Sequence, residues 1–376
     1  MPPGTPPGGI DVPSWWCHHQ DRHALPDVPV RPQTAGMTIK HLAAAALAAA
    51  ALLAGTATGA TGASPPPASA TPAAAPVPRQ ITGYAPALHP EGIAWDPTRR
   101  AFLVSSVRHG TVSVVRPDGR TTALVSDPRV VSTYGLHVDA VRGRILVAYA
   151  DLGVAERSEP GTVHRVGGLG VYDLRTGRPL HLVDLTRLSP GQERFAVNDV
   201  AVGADGTAYV SDVTGDAIYR VDRRGRASVL VRDAALTDGH GTGVNGLVVH
   251  PDGHLLAVNY GDGRLFRVPL RDPGRFTEVA LPAPLHGGDG LALRPDGALV
   301  AVTNDLANPR GTDAVHVLRS RDRWRSAAAV VSRPWPVRGP STAAHTPYGV
   351  HVLSGRLEIV FGPDGRTADD FVVRRL

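Results

Sequence analysis

The chain has 376 residues, with 39 Lys and Arg against 34 Asp and Glu, a formal net charge of +5. Nearly all of the basic residues are Arg, scattered on strand faces and turns beside Asp, which argues against a nucleic-acid partner. Its one cysteine, Cys17, lies near the N-terminus, so the folded part is expected to hold neither a disulfide nor thiol chemistry.

Residues 1–36 are rich in Pro and polar residues and read as a leader upstream of a better start at Met37. Lys40 and His41 then precede an apolar run over 42–53 and small residues through 63. That is the order of a secretory signal peptide, with cleavage expected near 60–63. The run is short for a bilayer span. A secreted, extracellular protein without stable membrane insertion is therefore expected, with an uncleaved N-terminal anchor as the alternative. A Pro/Ala/Ser-rich linker follows over 64–78. About 300 residues remain, enough to bury a substantial core.

From residue 79 on, no stretch sustains a helical period. Strand-length, β-branched runs alternate with turns such as Pro117-Asp118-Gly119, Ala204-Asp205-Gly206, Pro251-Asp252-Gly253 and Pro295-Asp296-Gly297. Pro presets φ, Asp bonds nearby backbone and Gly takes the positive-φ position, so these carboxylates read as turn chemistry rather than catalysis. A longer pattern recurs every roughly 43 to 64 residues: Pro90-Glu91-Gly92, Tyr134-Gly135, Asn198-Asp199, Asn245-Gly246, Asp289-Gly290 and Tyr348-Gly349, each leading into a short apolar run. Spacing of this size fits a propeller blade. The expectation is all-β: a six-bladed β-propeller with four-stranded antiparallel blades over 79–376. The last blade shows three strands, at 349–353, 356–361 and 370–375. The spare strand at 79–84 is expected to complete it and remove an exposed edge. The long segment 151–168 has the size of a lid loop.

Inner strands of a propeller start at one mouth of the central channel. Glu91, Asn198, Asn245 and Asp289 should therefore meet there, two carboxylates and two amide carbonyls. Such a set suits a hard divalent cation, calcium ahead of magnesium; zinc would call for His or Cys. Tyr134 and Tyr348 occupy the other two positions, with His137 and His351 three residues after each. Second strands end in Asp151, Asp212, Asn259, and Asn304 with Asp305, which would return to the same mouth. All of these are candidates to line a substrate pocket or to support the ligands, or simply to pack and cap strands.

These motifs resemble the gluconolactonase and senescence-marker (regucalcin) family, and more distantly the paraoxonases. The resemblance covers about 80–376 and rests on Pro90-Glu91-Gly92, Asn198-Asp199, Asn245-Gly246 and Asp289-Gly290. It implies six blades, a divalent metal held by Glu91, Asn245 and Asp289 with Asn198 beside them, and Asp289 as general base. Sugar-lactone members carry an Arg two residues before the third-blade Asn. Here that position is Ala196 and the nearby Arg194 is displaced, which points away from gluconolactone as substrate. A monomeric calcium-dependent hydrolase of small lactones or related esters is expected. The alternative is a non-catalytic propeller that binds a ligand or protein and holds calcium for structure. Gly241-Thr-Gly243-Val-Asn-Gly246 precedes a strand rather than a helix, so it is not read as a dinucleotide site. No Gly-x-Ser-x-Gly elbow occurs.

Overall fold

The computed structural model describes residues 77–376; the leader, the signal peptide and nearly all of the linker lie outside the described residues. Among the described residues, no helix is long and apolar enough to cross a membrane.

Six four-stranded antiparallel sheets follow one another around a ring. Their inner strands are Ile93–Asp96, Ser132–Asp139, Val197–Val202, Val244–His250, Gly288–Leu293 and Pro340–Thr346, in blades 1 to 6, and each inner strand neighbours the next. Blades 1 to 5 are sequential meanders. Blade 6 runs Pro340–Thr346, Gly349–Ser354, Asp370–Arg375 and then Gln80–Tyr84 from the N-terminal side. Ile81 pairs with Val373 and Tyr84 with Asp370, so the early strand closes the ring as its isolated position in sequence implied.

Side chains alternate between two interfaces, because successive residues of a strand point to opposite faces. On Arg144–Ala150, Ile145 and Val147 pack toward blade 1, whereas Leu146 and Ala148 pack toward blade 3. Both faces are buried, so the strand reads as a continuous apolar run. Each blade boundary carries one such apolar cluster. Fully burying one of these Leu, Ile or Val side chains contributes roughly 1.5–3 kcal/mol.

Blade 6 departs from the expected layout. Its inner strand is Pro340–Thr346, and Gly349–Ser354 is the second strand. The third expected strand, 356–361, is replaced by a helical turn, Leu357–Val360. The true inner strand reads Pro-Ser-Thr-Ala-Ala-His-Thr and lacks both the glycine found in blades 1, 2, 4 and 5 and the apolar run of the other copies. Tyr348-Gly349-Val350 has both, which is why it resembled an inner strand.

The turns at 204–206, 251–253 and 295–297 join inner to second strands at the end of the ring opposite the strand starts. Asp205 and Asp296 accept from the following backbone, at Thr207 N (3.0 Å) and Ala298 N (3.2 Å). They stand far from the mouth.

Candidate metal centre

Five of the six inner strands carry a β-bulge near their start. The register shifts between Thr133 and Leu136, Val197 and Val200, Val244 and Leu247, Gly288 and Leu291, and Pro340 and Ala343. The unpaired residues in these intervals are Tyr134-Gly135, Asn198-Asp199, Asn245-Gly246, Asp289-Gly290 and Ser341-Thr342. Glu91-Gly92 takes the same place just before Ile93. A bulge releases two residues from the ladder and re-aims their side chains, so the repeat seen in sequence is a ring of bulges at one mouth. The second residue lies close against the neighbouring blade. A Cβ on Gly290 would fall 1.9 Å from Thr342 Oγ1 and 2.5 Å from its Cα, which only glycine avoids.

Glu91, Asn245 and Asp289 are 6%, 5% and 4% exposed. Asn245 Nδ2 donates to Asp289 Oδ1 at 2.9 Å. Asn304 Nδ2 donates to Asp289 Oδ2 at 2.6 Å. Asn304 is in turn held by the Tyr260 hydroxyl, which donates to its Oδ1 at 2.7 Å, and Asn304 also donates to Pro340 O at 2.9 Å. Both Asp289 oxygens are thus fixed by amide donors. Glu91 Oε2, Asn198 Oδ1 and Asn245 Oδ1 are buried without a hydrogen-bond partner. A buried, unpaired oxygen is costly, and three from equivalent strand starts form a donor set that a hard cation would satisfy. Burial, together with the Asp289 and Asp199 charges, pushes the Glu91 carboxyl well above the usual range. Burial likewise raises Asp289, with Asp199 adding to it and the two amides opposing. A divalent cation would remove this conflict of negative charges. Among the described residues, no group of three or more His, Cys, Asp or Glu side chains is arranged to hold a metal; the donor set here is two carboxylates and two amides.

Asp199 was not among the expected site residues. Its Oδ2 accepts from Leu247 N in blade 4 at 3.0 Å and its Oδ1 from Val200 N at 2.8 Å. Burial raises its carboxyl to about 6. The sequence signal was present: Asp occupies the place that Gly takes in blades 1, 2, 4 and 5. Ser341 was also missed. Its hydroxyl donates to Glu91 O at 2.6 Å and ties blade 6 to the first candidate ligand.

The remaining candidates separate clearly. Tyr134 is buried at the mouth, and burial pushes its hydroxyl above the usual phenol range. Asp151 reaches the mouth end but is consumed by the following loop, accepting from Ser158 Oγ at 2.6 Å, Thr162 Oγ1 at 2.6 Å and Gly153 N at 2.8 Å. Asp212 is taken by Ala196 N at 2.9 Å, Thr214 Oγ1 at 2.9 Å and Gln192 Nε2 at 2.8 Å. Asn259 donates to Leu236 O at 2.9 Å and Thr242 O at 2.8 Å. Of the second-strand residues, only Asn304 reaches a candidate ligand; Asp305 is exposed.

Three candidates are displaced. Tyr348 sits in the turn between the first two strands of blade 6, at the opposite end from the mouth. There its hydroxyl accepts from Arg100 Nη2 and its ring meets Trp95 edge-on at 6.2 Å. His351 lies on a second strand, buried, with its ring 5.0 Å from that of Phe102. His137 is on an inner strand but three residues, about 10 Å, beyond Tyr134, and burial lowers it to about 4. None of the three stands where a mouth residue would.

The mouth is roofed. Loops that join second to third strands, and blade to blade, all lie on this side. Val107, Val154, Leu357 and Val360 belong to one apolar cluster with Tyr134, and Leu152, Leu306 and Phe361 pack against it. Ala196, Val213 and Tyr260 form a second patch with Leu152 and Ala307. The helical turn Leu357–Val360 is pinned beside Glu91. His89 Nδ1 bonds Arg356 O at 3.0 Å, and His89 Nε2 accepts from Ala368 N at 3.0 Å. The 151–166 segment is equally tied down, with Glu156 N bonded to Arg108 O at 2.9 Å.

Residues 89–317 match the family model described as the SMP-30/gluconolactonase/LRE-like region. No curated protein matches the chain. Among solved structures, the major allergen Mala s 1 of Malassezia sympodialis aligns with a TM-score of 0.63 at 20% identity, over 80% of this chain and 96% of that one. A gluconolactonase of Xanthomonas campestris aligns at 0.52 and 17% identity, over 78% and 88%. A regucalcin of Agrobacterium tumefaciens, described as a calcium-binding protein, aligns at 0.52 and 18% identity, over 79% and 97%. These likenesses are likenesses of fold. With the family match spanning most of the propeller, the chain belongs to the SMP-30/gluconolactonase/LRE-like family.

Proposed function

We propose that this protein is a calcium-dependent hydrolase of lactones or related esters, working at the mouth built by Glu91, Asn198, Asn245 and Asp289. The observation that carries this reading is the set of three buried, unpartnered oxygens, on Glu91, Asn198 and Asn245, beside an Asp289 fixed by two amides. Glu91, Asn198, Asn245 and Asp289 would hold the ion. Calcium accepts six to eight oxygen ligands in irregular geometry, and two carboxylates with two amides leave places for water and substrate. When bound, the ion would polarise the substrate carbonyl and stabilise the developing oxyanion. Asp289 would take the proton of the attacking water. Asn245 and Asn304 would keep its carboxylate from turning. Tyr134, on the adjacent bulge, would bound the substrate from blade 2.

A second reading has its own support. The candidate ligands are buried beneath an apolar roof, as a structural ion would be. In that case calcium would hold the ring together for a binding protein. A panel of lactones and esters separates the two, assayed with metal-stripped protein before and after added calcium. Calcium-restored hydrolysis that Asp289→Asn abolishes supports the enzyme. Calcium binding without turnover of any panel member supports the structural ion. The reading of residues 37–63 as an export signal places this activity outside the cell, and a mature N-terminus shortly after 60–63 on the exported protein is the result expected by mass spectrometry.

A further inference from the structure

A cleft of about 580 Å³ opens between blades 5 and 6, among their outer strands. On one side stands Arg333, on the outermost strand of blade 5, Ala328–Pro334, every residue of which is exposed. On the other stand Arg374 and Arg375, at the end of the third strand of blade 6, and Arg79 and Gln80, where the closing strand begins. Ring closure builds this second wall: Gln80 pairs with Arg374, and Arg375 N donates to Arg79 O at 2.7 Å. Pro334 and Pro336 are exposed, flank the buried Trp335 and give the cleft an apolar part. None of the lining residues is a candidate ligand of the metal centre.

Many arginines of the propeller stand beside a carboxylate, as Arg226 does with Asp222 at 2.7 Å, Arg264 with Asp262 at 2.6 Å and Arg356 with Asp370 at 2.7 Å. The four in the cleft do not. Among the described residues they form no ion pair, and their one side-chain hydrogen bond runs from Arg374 Nη1 to Gln80 Oε1 at 3.0 Å. The lining holds no Asp or Glu side chain; its one anionic group is the main-chain carboxylate of Leu376. A guanidinium keeps its charge at any ordinary pH, and several around one concavity focus a positive potential within it. Their planar forks match carboxylate and phosphate oxygens. The volume is that of a site for a small organic molecule. A single anionic group could not pair with arginines on both walls. We propose that this cleft binds a small organic polyanion, with two or more carboxylate or phosphate groups on an apolar body. Arg333 pairs with one end, Arg79, Arg374 and Arg375 pair with the other, and the body lies along Pro334 and Pro336. The site is independent of the hydrolase reading and involves no chemical step.

The test is calorimetry on the full chain at low ionic strength, without added calcium. The probe is trimesate, a benzene ring bearing three carboxylates, and benzoate is the singly charged control. Trimesate should bind at a single site, benzoate about tenfold more weakly or worse, and the affinity for trimesate should fall as salt is added. Arg333→Gln and Arg374→Gln should each weaken trimesate binding by about tenfold, the loss of one charge-assisted hydrogen bond, with the circular dichroism spectrum unchanged. Arg333→Lys keeps the charge but loses the fork, so its affinity should fall between those of the parent and Arg333→Gln. Arg226→Gln, in blade 3, removes the same charge elsewhere and should leave the affinity as it was. No binding of trimesate, or benzoate bound equally well, would overturn the proposal. So would an equal loss in Arg226→Gln and Arg333→Gln, which would mean a general attraction to a basic chain.

Discussion

Asp289 is the residue on which the candidate centre turns, and Asn304 is the residue that holds it. Asn304 spends its amide on Asp289 Oδ2 and Pro340 O, and its Oδ1 receives the Tyr260 hydroxyl. Groups that orient a metal ligand typically matter by 10- to 100-fold in affinity or activity. Asn304→Ala should weaken calcium binding by about that factor, measured by calorimetry, with the propeller still folded by circular dichroism. The carboxylates also make a signed prediction about pH. Burial raises Glu91, Asp199 and Asp289, so without metal the folded state binds more protons than the unfolded chain. The contribution of these three carboxylates to the stability of the metal-free protein should then fall as pH rises through about 6, where Asp199 titrates, and on through the higher Asp289 and Glu91 transitions. Buried histidines such as His137, lowered from 6.5 to about 4, act in the opposite sense below 6.5, so the fall is to be read above that value. Metal binding displaces those protons. The calcium-induced rise in melting temperature should therefore be larger at pH 8 than at pH 5, and equal shifts at the two values would contradict the electrostatic account.

At the scale of single elements, the bulged strand start is the unit the chain repeats. Four of its six copies were legible because a polar residue, a glycine or aspartate, and an apolar run stand together, as in Asn245-Gly246-Leu247. Tyr134 was legible for the same reason. Blade 6 was not: Ser341-Thr342 has no glycine, and the strand after it is rich in Ala and polar residues. Tyr348-Gly349-Val350, one strand on, carries a better imitation of the pattern than the real copy. The role of Asp199 was hidden for a different reason, since its partner, Leu247 N, is in another blade. The helical turn Leu357–Val360 could not be read either, because four residues are too few to show a period. Its position depends on His89, which bonds both Arg356 O and the Ala368 amide. His89→Ala should remove both bonds and leave a buried gap. A loss of about 1–3 kcal/mol in stability is expected, together with faster amide exchange over 357–362 and little change in blades 3 and 4. Uniform acceleration across the ring would mean that His89 acts on the whole fold and not on the roof.

For the whole molecule, closure and convergence are one fact. The strand Gln80–Tyr84 completes blade 6, and a closed ring is what brings strand starts distant in sequence to a single mouth. A chain beginning at Ala87 should expose the edge of Asp370–Arg375 and aggregate. If that truncated chain stayed as soluble and heat-stable as the full domain, the closing strand would be dispensable. The central claim is that Glu91, Asn198, Asn245 and Asp289 hold one calcium ion, and a crystal structure grown in calcium tests it most directly. The account predicts a single ion, identified by its anomalous signal, with Glu91 and Asp289 carboxylate oxygens and Asn198 and Asn245 Oδ1 at about 2.3–2.6 Å. Saturating calcium with no ion at this mouth, or an ion there from which the Asn198 and Asn245 carbonyls turn away, would contradict it.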